Sequence, residues 1–297
     1  YLKMLMEIIK FYKNVEYDKK NYNNCTIDDY LTIKDYSDFF KYKHIYPMAS
    51  SIWSSSLNEI KKYPFEQFVN FFSNHGLLNL ITRPKWRTVL NGSQTYVKKI
   101  IEKENIIASK NIHVEINKFK NGKLILKVNK KEKKYDHVII AVHSDQVKQV
   151  NKIQNLNNIK IFEDINYTTN EVFLHTDKNL MPKLKKVWAS WNYLEGENNN
   201  KLSVTYWMNK LQNLDTKKNI FVTLNPSVKP LKDKTIKRII YDHPIYGLKT
   251  FKTQKKIKQI QGKNNIWYCG AYLGYGFHED GIKSGLDVVT QILKKNK

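Results

Sequence analysis

"WYCGAYLGYGFHEDGIKSGLDVV", residues 267–289, runs from an aromatic strand through Gly270, Gly274, Gly276 and Gly281 into a helical repeat. A buried strand, a glycine-rich turn and a helix start, in that order, direct backbone N–H groups at an electron-rich ligand. Glycine permits close approach, and the helix dipole adds partial positive charge. Asp280 is the expected N-cap of a helix beginning at Gly281. An ordinary helix entry whose small residues serve packing has the same pattern, and spacing alone leaves both readings open.

The rest of the chain has to supply a fold around that stretch. With 297 residues, 41% of them hydrophobic and 13% aromatic, it can bury a core large enough for one large or two medium domains. Its longest apolar runs, such as Val138–Val142, are strand-sized. None approaches the ~18 residues of a membrane span, and no signal-peptide pattern opens the sequence. Cys25 and Cys269 are too few for a disulfide framework, which fits a reducing compartment and a cytoplasmic location. The net charge of +24 is almost all lysine, with arginine only at 83, 87 and 238. Base readout in nucleic acids favours the bidentate arginine fork, so no nucleic-acid partner is expected. The lysines are spread along the chain beside abundant Asn and Ile, which reads first as general compositional bias; peripheral contact with an anionic membrane is the alternative that a lysine surface suits.

Hydrophobic period divides the chain into blocks. Leu2, Leu5, Met6 and Ile9 repeat at helix spacing, and 27–42 and 57–80 read as helical, with Ser56 and Pro64 as boundaries. Another helix is expected over 88–105. Strands are expected at His113–Asn117, Lys123–Val128 and Tyr135–Val142, with Asn121-Gly122 closing a hairpin. More follow at Glu171–His175, Lys186–Trp191, Ser203–Trp207 and Ile220–Leu224, with a loop at 196–200. A helix near 251–260 leads into a last strand at 266–269.

The terminal stretch resembles the C-terminal flavin-binding motif of flavin-containing amine oxidoreductases. Eight further segments resemble one branch of that superfamily in the same order: "YPMASSIWS" (46–54), "FFSNHGLL" (71–78), "RPKWRTVLNGSQTYV" (83–97), "VIIAVHSDQ" (138–146), "LHTDKNLMP" (174–182), "WASWNY" (188–193), "TYWMNKLQ" (205–212) and "TLNP" (223–226). The branch is that of the predicted NAD/FAD-binding proteins associated with cyclopropane-fatty-acid synthases. The resemblance implies a mixed α/β (α+β) fold of the FAD/NAD(P)-binding, amine-oxidase-like, two-domain type. It implies a mainly helical part of the substrate domain at 1–80 and the central part of the FAD domain at 81–147. The substrate-domain sheet would follow at 148–255, and the C-terminal part of the FAD domain at 256–297.

FAD is the implied cofactor. Gly92, Ser93, Val114, Gly270, Ala271, Glu279, Asp280, Gly281 and Ile282 stand at the positions implied to touch it. The family's acidic residue after the strand glycine is replaced here by Ala271-Tyr272, and Asn91-Gly92-Ser93 keeps one glycine of the usual two. Arg83 and Arg87 flank Trp86 just before that turn, which also reads as a plain hairpin turn with exposed arginines. Trp188, Trp191, Asn192, Tyr206, Trp207, Tyr272 and Tyr275 are the candidates for a substrate pocket, with core packing the rival explanation for each. Trp188 and Trp191 are three apart, so a regular strand would turn them to opposite faces. His143 reads either as a cofactor-side residue or as a hydrogen-bonded interior one. No catalytic side chain is assigned, and neither His175 with Asp177 nor His278 with Glu279 and Asp280 has zinc-site spacing.

A dinucleotide-binding domain of this type begins with a strand, G-x-G-x-x-G, a helix and an acidic residue ~20 positions on. None of these occurs in the sequence. The expectation is therefore an N-terminally truncated FAD-dependent oxidoreductase lacking its first Rossmann βαβ unit, or a chain to which a partner supplies that segment. It would move hydride from a substrate C–H to flavin N5, on a fatty-acyl or lipid substrate or another small molecule. The alternative is a non-catalytic lipid- or partner-binding protein that has lost its cofactor.

Overall fold

Thr26, Ser37 and Ser56 each sit just before a helix, and each hydroxyl accepts an N–H from the first turn: Asp29 at 3.2 Å, Phe40 at 3.2 Å and Glu59 at 3.3 Å. Asp29 and Glu59 reach back to the amides of Thr26 and Ser56 at 2.9 and 2.7 Å, completing two capping boxes. These caps fix where the N-terminal helices begin: α1 (Leu2–Asp18), α2 (Ile27–Ile33), α3 (Asp38–Phe40), α4 (Tyr46–Trp53), α5 (Leu57–Lys61), α6 (Phe65–Asn74) and α7 (Gln94–Lys103). One π turn, Lys41–Ile45, joins α3 to α4. The helix expected over 27–42 breaks at Asp35, whose φ of +52° no helix accommodates. The one expected over 57–80 is two helices, because Pro64 stands as the N-cap of the second. The one expected from 88 starts only at Gln94, after Asn91 and Gly92 turn the chain with φ of +62° and +83°.

The computed structural model describes residues 1–79, 84–85, 87–103, 106–152, 157–194 and 203–295, which leaves the expected loop at 196–200 outside the described residues. The chain forms two compact units interleaved in sequence. One comprises Tyr1–Ile106 with Thr168–His243, the other Ile107–Tyr167 with Pro244–Lys297.

The helical part of the first unit packs on aromatic rings. Tyr30 stacks on Phe65 at 3.8 Å between centroids and Phe68 on Phe72 at 3.9 Å, all four buried. The apolar repeat read at the start of α1 does form a helix, but Leu2, Leu5, Met6 and Ile9 are exposed and the buried face is Glu7, Phe11, Tyr12, Val15 and Asp18. The two buried carboxylates are satisfied. Glu7 accepts from the N–H and hydroxyl of Ser37 at 2.8 and 2.6 Å, and Asp18 from Tyr30 at 2.8 Å and Lys34 at 3.0 Å.

The second unit contains an antiparallel meander, β1 (Val114–Lys120), β2 (Lys123–Val128) and β3 (Lys131–Tyr135). Its turns are Asn121-Gly122 and Asn129-Lys130, with φ of +50° and +75° and of +46° and +69°. Two consecutive positive φ values match the right-handed twist of the flanking strands. The single strand expected over Tyr135–Val142 is divided. Its start ends β3, a wholly exposed edge strand of lysine and glutamate, and the remainder forms β4 (Val138–Ile140) in another sheet. A short helix, α8 (Val147–Val150), follows.

The chain then returns to the first unit as β5 (Tyr167–His175), β6 (Trp191–Leu194), β7 (Ser203–Trp207), α9 (Met208–Leu211), β8 (Phe221–Leu224) and β9 (Thr235–Pro244), in the sheet order β6-β7-β8-β5-β9. Of the strand expected over Lys186–Trp191 only Trp191 is extended, as the first residue of β6. Residues 186–190 form the end of a 3-10 turn and a loop, where the Asn192 carboxamide clamps both backbone groups of Ala189, at 2.9 and 2.7 Å, in place of a ladder. Finally α10 (Leu248–Gln259), β10 (Ile266–Tyr268) and α11 (His278–Lys295) complete the second unit, with β10 parallel to β4. Its core joins Ile116, Leu124, Ile140, Phe162, Ile257 and Tyr268. Among the described residues no helix is long and apolar enough to cross a membrane.

Because Phe65 is fully buried against Tyr30, Phe65→Ala should cost about 3–5 kcal/mol in urea unfolding. Leu5→Gln on the outward face of α1 should stay within about 0.5 kcal/mol of the parent in the same measurement.

Candidate functional site

The strand–turn–helix at the end of the second unit is built by a few specific bonds. The N–H of Cys269 continues the β4–β10 ladder to the carbonyl of Ile140 at 3.1 Å. One residue later, the N–H of Gly270 donates to Ser284 Oγ at 2.9 Å, and that hydroxyl donates to the Gly281 carbonyl at 2.7 Å. Ser284 thus ties the end of the strand to the first turns of α11. Between them Ala271–Leu273 form a 3-10 turn, and the Ala271 carbonyl accepts from the amides of Gly274 and Gly276, both at 3.1 Å. From α10, the Gln254 amide group holds the carbonyls of Tyr272 and Gly274 at 2.9 and 2.7 Å.

Helix α11 begins at His278, three residues earlier than expected, so Asp280 is not its N-cap. Asp280 lies in the first turn, and its Oδ2 reaches back to accept from the amides of Tyr275 and Phe277 at 3.1 and 3.0 Å. It does the reciprocal half of a capping box without the other half. A Cβ on Gly274 would sit 2.3 Å from Asp280 Oδ1, so only glycine lets the carboxylate close on the turn. Gly276 has φ of +97° and lies against Tyr246, leaving no room for a side chain there.

The first intrahelical bond of α11 is Gly281 N–H to Phe277 O, which leaves the amides of His278, Glu279 and Asp280 as first-turn donors at the positive end of the dipole. A Cβ on Gly281 would meet only Ala271 N, at an ordinary 3.8 Å, so small residues keep this approach open. The hydroxyls of Tyr246 and Tyr272 are buried beside the turn and find no hydrogen-bond partner among the described residues. Burial pushes both phenols, and the Cys269 thiol, to higher pKa, so all three stay protonated at neutral pH. The site offers its first-turn amides to an electron-rich ligand edge, while the hydroxyls of Tyr246 and Tyr272 are buried and not presented. Such amides fit the acceptor edge of a flavin ring, and no G-x-G-x-x-G phosphate cradle occurs in these 297 residues.

Gly270, Ala271, Glu279, Asp280, Gly281 and Ile282 therefore share one local structure with Tyr272, which is buried, and Tyr275, which is partly so; Ile282 and Glu279 face solvent. Val114 opens β1 of the same unit and packs against its core. Gly92 and Ser93 precede α7 in the other unit. Of the arginine pair before them, Arg87 is exposed, while Arg83 and Trp86 lie outside the described residues. His143 is not interior. It is exposed and stacks on Tyr167 with centroids 5.1 Å apart.

The remaining candidates are on the sheet of the first unit. Cross-strand register places Asn192 beside Thr205 and Thr205 beside Thr223. Trp188 packs edge-on against Trp207 at 5.4 Å and Phe221 at 5.8 Å, on the face that carries Thr205. Trp191 packs against Tyr206 at 5.5 Å on the opposite face. Sequence reasoning missed the polar line buried here. His175 Nδ1 accepts the Asp177 N–H at 3.1 Å, so Nε2 carries the proton and donates to Thr223 Oγ1 at 2.7 Å, which is 2.8 Å from Thr205 Oγ1. The three side chains are fully buried. Threonines alternating with apolar residues in "SVTYW" and "FVTL" were the available signal, but only the register shows that they meet.

These elements define a mixed helix-and-sheet, amine-oxidase-like fold, and solved structures share it. A CLA-producing fatty acid isomerase from P. acnes superposes with a TM-score of 0.63 and 14% identity, over 97% of this chain and 74% of its own. A redesigned putrescine oxidase gives 0.64 and 9%, over 99% and 75%. Cyclohexylamine oxidase from Brevibacterium oxydans gives 0.62 and 8%, over 99% and 74%. No protein-family model and no curated protein matches the sequence.

Asp280→Ala should free the amides of Tyr275 and Phe277, speeding their hydrogen exchange and lowering stability by about 1–2 kcal/mol. Burial holds the His175 pKa below its ordinary 6.5, so between those two values the unfolded chain binds a proton that the folded chain does not. Stability should accordingly fall as pH drops below about 6.5 and level off beneath the folded pKa. Urea midpoints between pH 7.5 and 5 should show this slope, and His175→Gln should flatten it.

Proposed function

We propose that the chain is the greater part of an FAD-dependent oxidoreductase acting on a fatty-acyl or lipid substrate. The observation that carries the reading is the start of α11, where three first-turn amides and the open side of Gly281 adjoin Ala271 at the end of β10. When bound, FAD accepts a hydride equivalent at N5 from a substrate C–H bond. The amides of His278–Asp280 would bind its N1/O2 edge, Ser284 and Gln254 would hold the turn rigid around it, and Tyr272 and Tyr275 would flank the ring. The apolar, carboxylate-free row of Trp191, Tyr206 and Val222 on one sheet face suits an acyl chain better than an amine. That a neighbour in fold is a fatty acid isomerase supports the same choice. Two unbonded cysteines support a cytoplasmic setting.

The phosphate half of the cofactor needs a strand–glycine turn–helix that these residues do not contain. Among the described residues β4 pairs only with β10. With Ile140 bonded to Cys269, the alternation of a parallel ladder turns the N–H and C=O of Ile139 to the open edge. A β–α–β segment added there in parallel, from an extended chain or a partner, would bring its glycines to the C-terminal end of the sheet. A second reading, a lipid- or partner-binding protein without cofactor, draws on Gly274 and Gly276 being closed by Asp280 and Tyr246.

FAD added to the purified chain, with and without a G-x-G-x-x-G segment fused ahead of Tyr1, should leave a protein-shifted visible band at least in the fused form. Gly281→Val should remove that band more than tenfold while leaving the urea midpoint unchanged. A fused, folded protein that retains no flavin would overturn the flavoenzyme reading in favour of the second.

A further inference from the structure

The parallel pair β4–β10 is covered on one face and half bare on the other. Tyr268 and Ile140 are partners in its register and join Phe162, Ile257 and Ile116 in the core of the second unit. Trp267 and Ile139, the next pair, turn to the opposite face. There α11 runs back along β10. Its Ser284 holds the Gly270 amide at 2.9 Å, and its Lys295 reaches Gly262 O at 3.2 Å and lies 6.0 Å from the centre of the Trp267 ring. Trp267 is accordingly 3% exposed, whereas Ile139, one strand over on the same face, is 44% exposed. The N–H and C=O of Ile139 also open to the free edge of β4 among the described residues.

Helix α11 is itself covered on part of its apolar side only. Ser284 and Val288 are buried. Around the helix from them, one flank carries Gly281, Gly285 and Ile292 and then Val289 and Ile282, while the other carries Lys283, Asp287 and Thr290. Val289 and Ile282 are exposed, and a Cβ on Gly285 would meet nothing within 4 Å. Glycine in mid-helix weakens the helix; what it provides here is room for another backbone to come close.

Handedness selects the occupant. From β4 to β10 the chain crosses on the covered face, where Phe162 and Ile257 lie, and parallel crossovers are right-handed. A β–α–β segment added at the free edge of β4 steps along the sheet in the other direction. Its right-handed crossover therefore falls on the other face, that of α11. The same handedness turns the glycine flank of α11, antiparallel to β10, toward the β4 side. A helix arriving there lies over Ile139 and against Gly285 and Val289. A lipid surface could cover the apolar side chains, but it offers no backbone to the edge groups of Ile139.

We propose that the Gly285–Val289 flank of α11, together with the free edge of β4 at Ile139, is the docking surface for the first strand and crossover helix of a β–α–β segment joined ahead of Tyr1. The inference rests on the flavoenzyme reading, which requires such a segment, and deepens it by stating which surface receives it.

Hydroxyl-radical footprinting in the absence of FAD reads this surface directly. With a G-x-G-x-x-G β–α–β segment fused ahead of Tyr1, oxidation of Ile139, Ile282 and Val289 should fall at least threefold from its level in the chain alone. Tyr135, exposed on the edge strand β3, should keep its level. Gly285→Leu should return the three residues to the level of the chain alone. In the unfused chain the same substitution should leave the urea midpoint no lower, since the new side chain enters open space. Unchanged oxidation in a fused protein whose circular dichroism shows the added helix would overturn the proposal. So would protection that survives Gly285→Leu, a fused segment that stays unfolded, or an unfused chain that sediments as a dimer with the same three residues protected. Flavin retained while Ile282 and Val289 stay open to oxidation would leave the flavoenzyme reading standing without this surface. Protection with no flavin retained would leave the surface standing without that reading.

Discussion

The carboxylate of Asp280 governs the C-terminal site. By accepting from the amides of Tyr275 and Phe277 it fixes where α11 begins, and by lying against Gly274 it sets which residue can stand there. With the helix start fixed, Ser284 falls one turn on, where its hydroxyl meets both Gly270 and Gly281. Every other feature of the site follows from these two side chains: the free amides at 278–280, the open flank of Gly281, and the closeness of Ala271. The arrangement also concentrates negative charge from Glu279 and Asp280 at the dipole's positive end, which stabilises the helix before any ligand is present. A ligand edge that accepts hydrogen bonds must then be drawn to the amides themselves, since the carboxylate of Asp280 is already engaged with the turn.

The first unit solves a different problem, that of polar groups taken inside. Glu7 and Asp18 are buried as acceptors, each facing two donors from the stretch of α2 and the turn that leads into α3. Each pair replaces lost hydration with charge-assisted bonds, so the desolvation cost is offset locally and the helix contact gains a fixed register. His175 is handled without charge. Its ring lies between the Asp177 amide and Thr223, and the hydroxyl relay to Thr205 spreads one proton's worth of donors across three strands. A sheet with a polar line through its buried face is held in one register more firmly than an apolar one, because a slip would orphan several of these groups at once.

Much of this was legible in the sequence, for reasons that can be named. Ser56 with Glu59, Asn121-Gly122 and Pro64 are short-range signals whose physics is complete within four residues, and each marks the boundary it should. The stretch 267–289 reads as strand, turn and helix because glycine and period change together there. Asp280 was legible as a capping residue but not its position, since N-cap and N3 acids both stabilise a helix start and only backbone geometry separates them. The face of α1 was illegible, because a helical repeat of Leu2, Leu5, Met6 and Ile9 looks the same whether it packs inward or outward. The phenylalanine and tyrosine that do pack, Phe11 and Tyr12, sit on the other side of the same helix. Trp188 misled for a tertiary reason. Its indole donates to Pro182 O at 2.7 Å, and Asn192 clamps Ala189, so an apolar run of strand composition is spent on a loop.

The order of elements along the chain adds a kinetic constraint. β4 and β10 are parallel neighbours, but the whole of β5 to β9 lies between them in sequence. Their pairing closes a loop far longer than any within the meander β1–β3, and the entropy of that closure grows with loop length while three paired residues give little in return. The pair is favourable only once the intervening sheet has folded and shortened the effective loop, or once Ile140, Ile257, Ile266 and Tyr268 collapse into their shared core. The glycine turn and the start of α11 lie directly after β10, so the first-turn amides take their places only after that late step. A binding site assembled last is one whose geometry reports on the integrity of the whole fold, since neither half of the second unit can form it from its own stretch of chain.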